Sequence, residues 1–505
     1  MGASRLSNGL HRGTHSEVCC HSEREESLYP DQSSDGVAGE HVLWGPAPNG
    51  LAAAVVRAQA GLAVDVFEAE LTPGGAVRSM ELTQPGFLHD FGSAVHPLGV
   101  GSPFFSSLPL PDHGLEWVHS PAPLAHPLDD GTAVMLERDL DDARVALEMD
   151  GNVWCKFMRP FVEQWSEFAS DVLHPMPSMP KHPGLMARFG MSALHSAKAI
   201  AHRFRSERTR ALFAGLAAHS VLRLDQTLSC AFGLLMGVLA HAVGWPIPRG
   251  GSQSLTNALC GYLAALGGSI KTGCRVDSLA ALSEYDLILC DVTPRQLLNL
   301  GTEQLSESYK RDLRHFRYGP GVFKADYALS QPVPWKAADC LRAATVHLGG
   351  TFDEIALSEE IVQNGQHAAR PFVLLTQPTL FDASRAPKDK HIAWAYCHVP
   401  NGSKVDMLQR LEDQIERFAP GFRETVLARR TFSPEDLERM DANLVGGDTG
   451  GGAVNLLQFL FRATWKHYST SAKNIYLGSA STPPGGGVRG MCGYHAAKIA
   501  LRAMR

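Results

Sequence analysis

Leu43-Trp44-Gly45-Pro46-Ala47-Pro48-Asn49-Gly50, then the alanine-rich run 51–60, then Val64-Asp65-Val66-Phe67-Glu68, is the stretch that decides the fold. A short strand enters a glycine turn, a helix of small apolar residues stops at Gly61, and a second strand ends in an acid. Strand, turn, helix, strand and acid form the order of an adenine dinucleotide unit. Pyrophosphate rests on the open N–H groups of the helix N-terminus, and the carboxylate accepts from ribose hydroxyls. Glu68 stands 18 residues past Gly50, where that acid belongs. The turn keeps Gly45 and Gly50 of the G-x-G-x-x-G pattern but carries Ala47 in place of the middle glycine, adding a methyl group where backbone normally approaches phosphate. Pro46 and Pro48 contribute no N–H. A βαβ unit without a ligand has the same outline, so the rest of the chain must decide.

Two further glycine-rich loops point the same way. Leu71-Thr72-Pro73-Gly74-Gly75-Ala76-Val77-Arg78 follows the acid, pairing a bare loop that admits phosphate closely with an arginine fork that can bind it. Near the C-terminal end, residues 474–480 read as a buried strand. After it, Pro483-Pro484-Gly485-Gly486-Gly487-Val488-Arg489-Gly490 leads into a helix over 494–504, whose N-terminus favours developing negative charge such as that on a reduced flavin.

Residues 45–78, Gly86-Phe87-Leu88-His89-Asp90-Phe91-Gly92, Arg249-Gly250-Gly251-Ser252-Gln253-Ser254-Leu255 and 479–493 together resemble the phytoene-desaturase-type flavoproteins. That group includes carotenoid isomerases and retinol saturases and is related to amine oxidases. The resemblance spans about residues 41 to 505. It implies an α/β fold: a Rossmann-like FAD-binding domain interleaved with a substrate domain of mixed sheet and helices. It also implies extended FAD, with adenosine at Glu68 and at the backbone of Val276, and pyrophosphate at Gly45, Ala47, Asn49, Gly50, Gly74, Gly75 and Arg78. The flavin then lies at Gly486, Gly487 and Val488. The chain departs from the pattern at Ala47 and at Pro483, where many relatives carry histidine.

Composition excludes a nucleic-acid binder, since 46 basic against 52 acidic residues leave a net charge of −6 and no excess of cations for phosphates. At 505 residues the chain exceeds one core. The expected division is a disordered tail at 1–40, FAD-binding parts at 41–110, 245–300 and 455–505, and substrate-domain parts at 111–244, mostly helical, and 301–454. Within these, helices are expected over 51–60 and 254–266, and strands over 269–276, 287–291, 316–330 and 392–399. The ten cysteines contain no C-x-x-C, which removes zinc ribbons and dithiol redox centres, and no metal-ligand spacing stands out. Their scatter suits a reducing, cytoplasmic compartment.

Residues 181–210 hold seven Lys or Arg against the single acid Glu207, a basic amphipathic stretch of the kind that lies on anionic lipid. Residues 226–248 run without a formal charge but end at Pro246 and Pro248, which favours a buried helix over a spanning one. Helices covering an apolar tunnel are therefore the main expectation, and peripheral membrane contact the lesser one.

The reading is an FAD-dependent oxidoreductase acting on an apolar, isoprenoid or polyene-like substrate by desaturation, saturation or isomerisation, with oxygen, a quinone or another electron acceptor. Side-chain candidates for catalysis are His96, just past the Asp90 motif, and Lys324, while His219 reads as a core histidine without a visible partner. Two alternatives stand beside this reading. One is a flavin amine oxidase. The other, favoured by Pro46 and Ala47, is a non-enzymatic relative with a weakened FAD site serving interaction or regulation.

Overall fold

A computed structural model describes residues 40–45 and 47–504. The expected tail at 1–40 lies, but for Glu40, outside the described residues, as does Pro46. The first sheet has five strands, all parallel, in the order Ile475–Leu477, Leu287–Cys290, Glu40–Trp44, Ala63–Phe67, Ser269–Lys271. Its strands come from three distant stretches of chain. Leu287–Cys290 and Ile475–Leu477 are buried on both faces, as strands inside a parallel sheet are, which explains their apolar runs.

The helix after the first strand spans Pro48–Ala58 and is buried along its whole length. Its small residues let the C-terminal helix Met491–Ala503 lie against it so closely that a Cβ on Gly493 would meet the Asn49 carbonyl oxygen at 1.7 Å. Gln253–Ala265 packs on the same core through Leu255, Leu259 and Leu263. The expected helices at 51–60 and 494–504 thus begin about a turn earlier than the sequence suggests, because Pro48 suits the first turn and Gly490, at φ +68°, supplies the left-handed N-cap.

The second sheet is mixed and has seven strands in the order Val426–Phe432, Gly321–Leu329, His391–Val399, Val373–Thr376, Ala343–Leu348, Ala122–Pro127, Ala133–Leu136. All neighbours are antiparallel except the pair Ala343–Leu348 and Ala122–Pro127. Stretch 111–244 is mostly helical as expected, but it also supplies the strands Ala122–Pro127 and Ala133–Leu136. Residues 122–127 contain Pro123 and Pro127, which read as loop. Their pairing with a strand over two hundred residues later overrides that local signal. Helices follow from Leu140 to Ala242 around Trp154, Phe161, Phe168, Phe213 and Leu239.

Two further expectations change and one holds. The strand at 269–276 stops at Lys271, because Gly273 turns the chain at φ +66° and the Cys274 N–H goes to the Glu68 carbonyl at 2.7 Å. The basic stretch 181–210 is not one helix: Pro183–Ala193 and Ala197–Ala201 are separated by the Ser196 cap, and the Asp150 carboxylate takes the N–H groups of Arg205 and Ser206 before Glu207–Ala218 begins. Residues 226–248 hold the buried helix Ser229–Ala242, and among the described residues no helix is long and apolar enough to cross a membrane.

Candidate FAD site

The glycine loops converge at the C-terminal ends of the parallel strands. Gly45, at φ +96°, leaves the first strand and donates to the Phe67 carbonyl. Ala47 is the extended N-cap of the first helix, without a capping side chain. Gly50 has no room for a Cβ, which would fall 1.8 Å from the Gly45 carbonyl oxygen. The Ala47 methyl lies 3.1 Å from where a Cβ on Gly75 would stand, so the first turn and the loop of Gly74 (φ +127°) and Gly75 (φ +54°) face each other across a narrow gap. Arg78 is buried; its guanidinium donates to the carbonyls of Gly75 at 2.8 Å and Met440 at 2.7 Å.

Glu68 ends the second strand as the order requires. Burial pushes its carboxyl up to about 7, against the Glu70 N–H that its Oε1 accepts at 2.9 Å. Val276 is buried in the core beside Phe67. At the far end, Gly485 and Gly487 take left-handed φ values of +97° and +112°, and a Cβ on Gly487 would strike Leu98. Gly486 rests on Gly450, and Val488 packs partly buried on the helix core. Arg489 donates to the Gly485 carbonyl at 2.7 Å and closes the loop.

Two acids belong to this site that sequence reasoning missed. Asp291, one residue past the strand Leu287–Cys290, accepts the Gly50 N–H at 2.7 Å. Its buried position, together with the nearby charges of Asp441 and Glu68, raises it to about 8. Asp441 is raised by burial as well, and its Oδ1 accepts the Asn443 N–H at 3.0 Å. An acid closing an apolar strand of a parallel sheet was the signal available for Asp291. Asp441 caps the helix Pro434–Met440 at the start of a loop and had none.

These residues fit FAD. Asn49 Oδ1, Ser481 Oγ and the Nε atoms of Arg462 and Arg489 are buried polar atoms without a partner in the protein, and all lie on the segments that form the site. Asp291, protonated at neutral pH, opposes a pyrophosphate less than a carboxylate would. When bound, FAD supplies two-electron redox chemistry. Glu68 would hold the adenosine, the N-terminal turn with Arg78 the diphosphate, and Gly485–Val488 the flavin end.

The charge of Asp90 reaches both catalytic candidates. His96 is fully buried, with Nε2 2.8 Å from Ser252 Oγ, and burial lowers it to about 4, so it is neutral. Lys324 pairs with Asp326 and stands 5.4 Å over the rings of both Trp394 and Phe432. Asp90 ties the Gly-Gly-Ser motif to the first sheet's loops, accepting from Ser79 Oγ, the Ser252 N–H and Arg385. His219 is not partnerless: His347, 128 residues away, meets it Nε2 to Nε2 at 3.0 Å.

Residues 49–296 match the family described as flavin containing amine oxidoreductase. A solved oxidoreductase of Methanosarcina mazei superposes with a TM-score of 0.61 at 16% identity, covering 92% of this chain and 100% of that one. The family match supports a flavin-dependent oxidoreductase, and the cofactor is FAD. Pyridine nucleotide-disulfide oxidoreductase domain-containing protein 2 of Mus musculus is 26% identical over 98% of this chain and 99% of its own length. The lycopene-forming phytoene desaturase of Pseudescherichia vulneris is 25% identical over 51% of this chain and 56% of its own.

Proposed function

We propose that the protein dehydrogenates an apolar, isoprenoid or polyene-like substrate that lies between the flavin loop and the helical part of the substrate domain. The observation that carries this is the wall between them. Leu98, which abuts Gly487, and Trp165 are partly buried and pack at once on the helical core and on the FAD-domain core. The uncharged helix Ser229–Ala242 backs that wall through Leu234, Val238 and Leu239. Such a surface gives a long hydrocarbon about 25 cal/mol for each Å² taken out of water, enough to hold it without a salt bridge. The partial likeness to a phytoene desaturase supports the same class.

The family description favours a second reading, oxidation of an amine. Anaerobic mixing of the FAD-loaded protein with polyenes, long-chain alkenes and primary amines separates the two by flavin bleaching. Bleaching by amines alone replaces the first reading with the second. A protein that takes up no FAD, even as the Ala47→Gly variant, discards both in favour of a non-enzymatic role. The electron acceptor we propose is oxygen or a quinone, and reoxidation rates with each distinguish them.

A further inference from the structure

Strand His391–Val399 aligns Trp394, Tyr396 and His398 on one face, opposite to Ala393, Ala395, Cys397 and Val399 in the sheet's other core. Trp394 packs with Ala94, and Tyr396 stacks on Trp394 and packs on the cluster of Phe91 and Phe432 that also carries Ala76 of the Gly-Gly loop. This face therefore looks toward the FAD loops. Tyr396 is half-buried where its strand neighbours are fully buried, so it borders an interior space. His398 Nδ1 lies 2.9 Å from each oxygen of the buried Glu359 carboxylate, on helix Phe352–Gln363. Its Nε2 has no hydrogen-bond partner and is not among the enclosed, unpaired atoms. An imidazole fixed at Nδ1 by a carboxylate and open at Nε2 is the arrangement of a general base.

The groups around it are selective. His219 on helix Glu207–Ala218's C-cap is lowered by burial and then by His398 to about 3, and His347 on Ala343–Leu348 is lowered further by burial and by His219. Both are neutral imidazoles able to hydrogen-bond an oxygen. Glu359 is committed to His398, and Lys324, which stands over Trp394, is paired with Asp326, the register partner of Trp394 across the sheet, with His89 beyond it. Arg410, whose field reaches Cys397, lies on the far face of the strand. The neutral imidazoles and the free His398 Nε2 suit a hydroxyl, which both donates and accepts.

We infer that this site oxidises a hydroxyl group carried by the apolar substrate, with His398 as proton acceptor and Glu359 as its positioning residue. This rests on the flavin-dependent dehydrogenation proposed above and narrows its substrate class to apolar alcohols. The O–H bond breaks and its proton goes to His398 Nε2. The carbinol C–H bond breaks, its hydrogen leaves with both electrons to the bound FAD, and a C=O bond forms. The proton then passes to solvent.

The test uses the FAD-loaded full chain, mixed anaerobically with farnesol, squalene or octylamine. Farnesol is expected to bleach the flavin. His398→Gln is expected to slow that bleaching by about 100-fold or more, the scale of general-base catalysis, with FAD occupancy and melting temperature unchanged. Glu359→Ala should slow the bleaching, and Glu359→Gln, whose amide oxygen still accepts from Nδ1, should restore most of the rate at unchanged FAD occupancy, a rescue that a merely structural role would not produce. Farnesol should also quench tryptophan fluorescence in the unmodified protein, and less so in His398→Ala. An unchanged rate in His398→Gln overturns the assignment. So does bleaching by squalene or octylamine but not by farnesol, or neither bleaching nor quenching by farnesol while FAD stays bound. Failure of the unmodified chain to retain FAD is the separate failure of the underlying dehydrogenase reading.

Discussion

Ala47 and Glu68 set opposite pulls on the same cofactor. The Ala47 methyl occupies the gap that faces Gly75, so Ala47→Gly is expected to raise the flavin-to-protein absorbance ratio. Glu68→Ala should lower it through loss of charge-assisted bonds of roughly 1.5–3 kcal/mol. The same acids make the unliganded protein sensitive to pH. Asp291 near 8 and Glu68 near 7 hold protons in the folded state that they would release at 3.8 and 4.5 when unfolded. Both pKa values are raised, so the folded state binds more protons than the unfolded one across this interval, and stability falls as pH rises from about 4 to about 8. Above that it levels off. Urea midpoints of the FAD-free protein between pH 5 and 8.5 measure the slope, which Asp291→Asn should reduce.

At the scale of elements, the contact between Pro48–Ala58 and Met491–Ala503 is where sequence tolerance is lowest. Gly493→Ala would place a methyl on the Asn49 carbonyl and force the two helices apart, an overpacking cost of about 1–3 kcal/mol or more, together with loss of FAD. Gly190, inside the exposed helix Pro183–Ala193, has nothing within 4 Å of an added Cβ. Gly190→Ala should therefore stabilise by about 0.5–1 kcal/mol, the helical penalty of glycine relative to alanine. Thermal melts of the pair of variants check both signs, and equal effects would refute the packing argument.

For the molecule as a whole, the FAD segments at 45–50, 68–78 and 485–489 are brought together only by folding, so cofactor binds the folded chain and not the unfolded one. Free FAD at a hundredfold excess over Kd should then stabilise by about 2.7 kcal/mol, and the melting temperature should climb with FAD concentration. Glu68→Ala should displace that titration to higher FAD. A melting temperature independent of FAD would show that these loops do not form its site. Exposed Met191 and Leu194, at 67% and 60%, mark the one part of the basic stretch that still offers apolar side chains to a lipid surface, now on a short helix and its cap.

The first parallel sheet and its cofactor loops were legible in the sequence because their determinants are local. Glycines needed at fixed φ, an acid at a strand end and small residues on a helix face each show within a short segment, although the segments lie far apart along the chain. The mixed sheet's strands at 122–127 and 133–136 were not legible, since proline-rich sequence becomes strand there only through a partner far along the chain. The same reason hid the chemistry of the substrate domain. His219 stands alone among alanines in the sequence until the fold sets His347 against it, and the fold likewise closes the 39-residue gap between Glu359 and His398. Local sequence specified the cofactor, because phosphate is bound mainly by backbone geometry. Only the tertiary structure could specify the proton-handling side chains, because their chemistry lies in pairs whose members come from different elements.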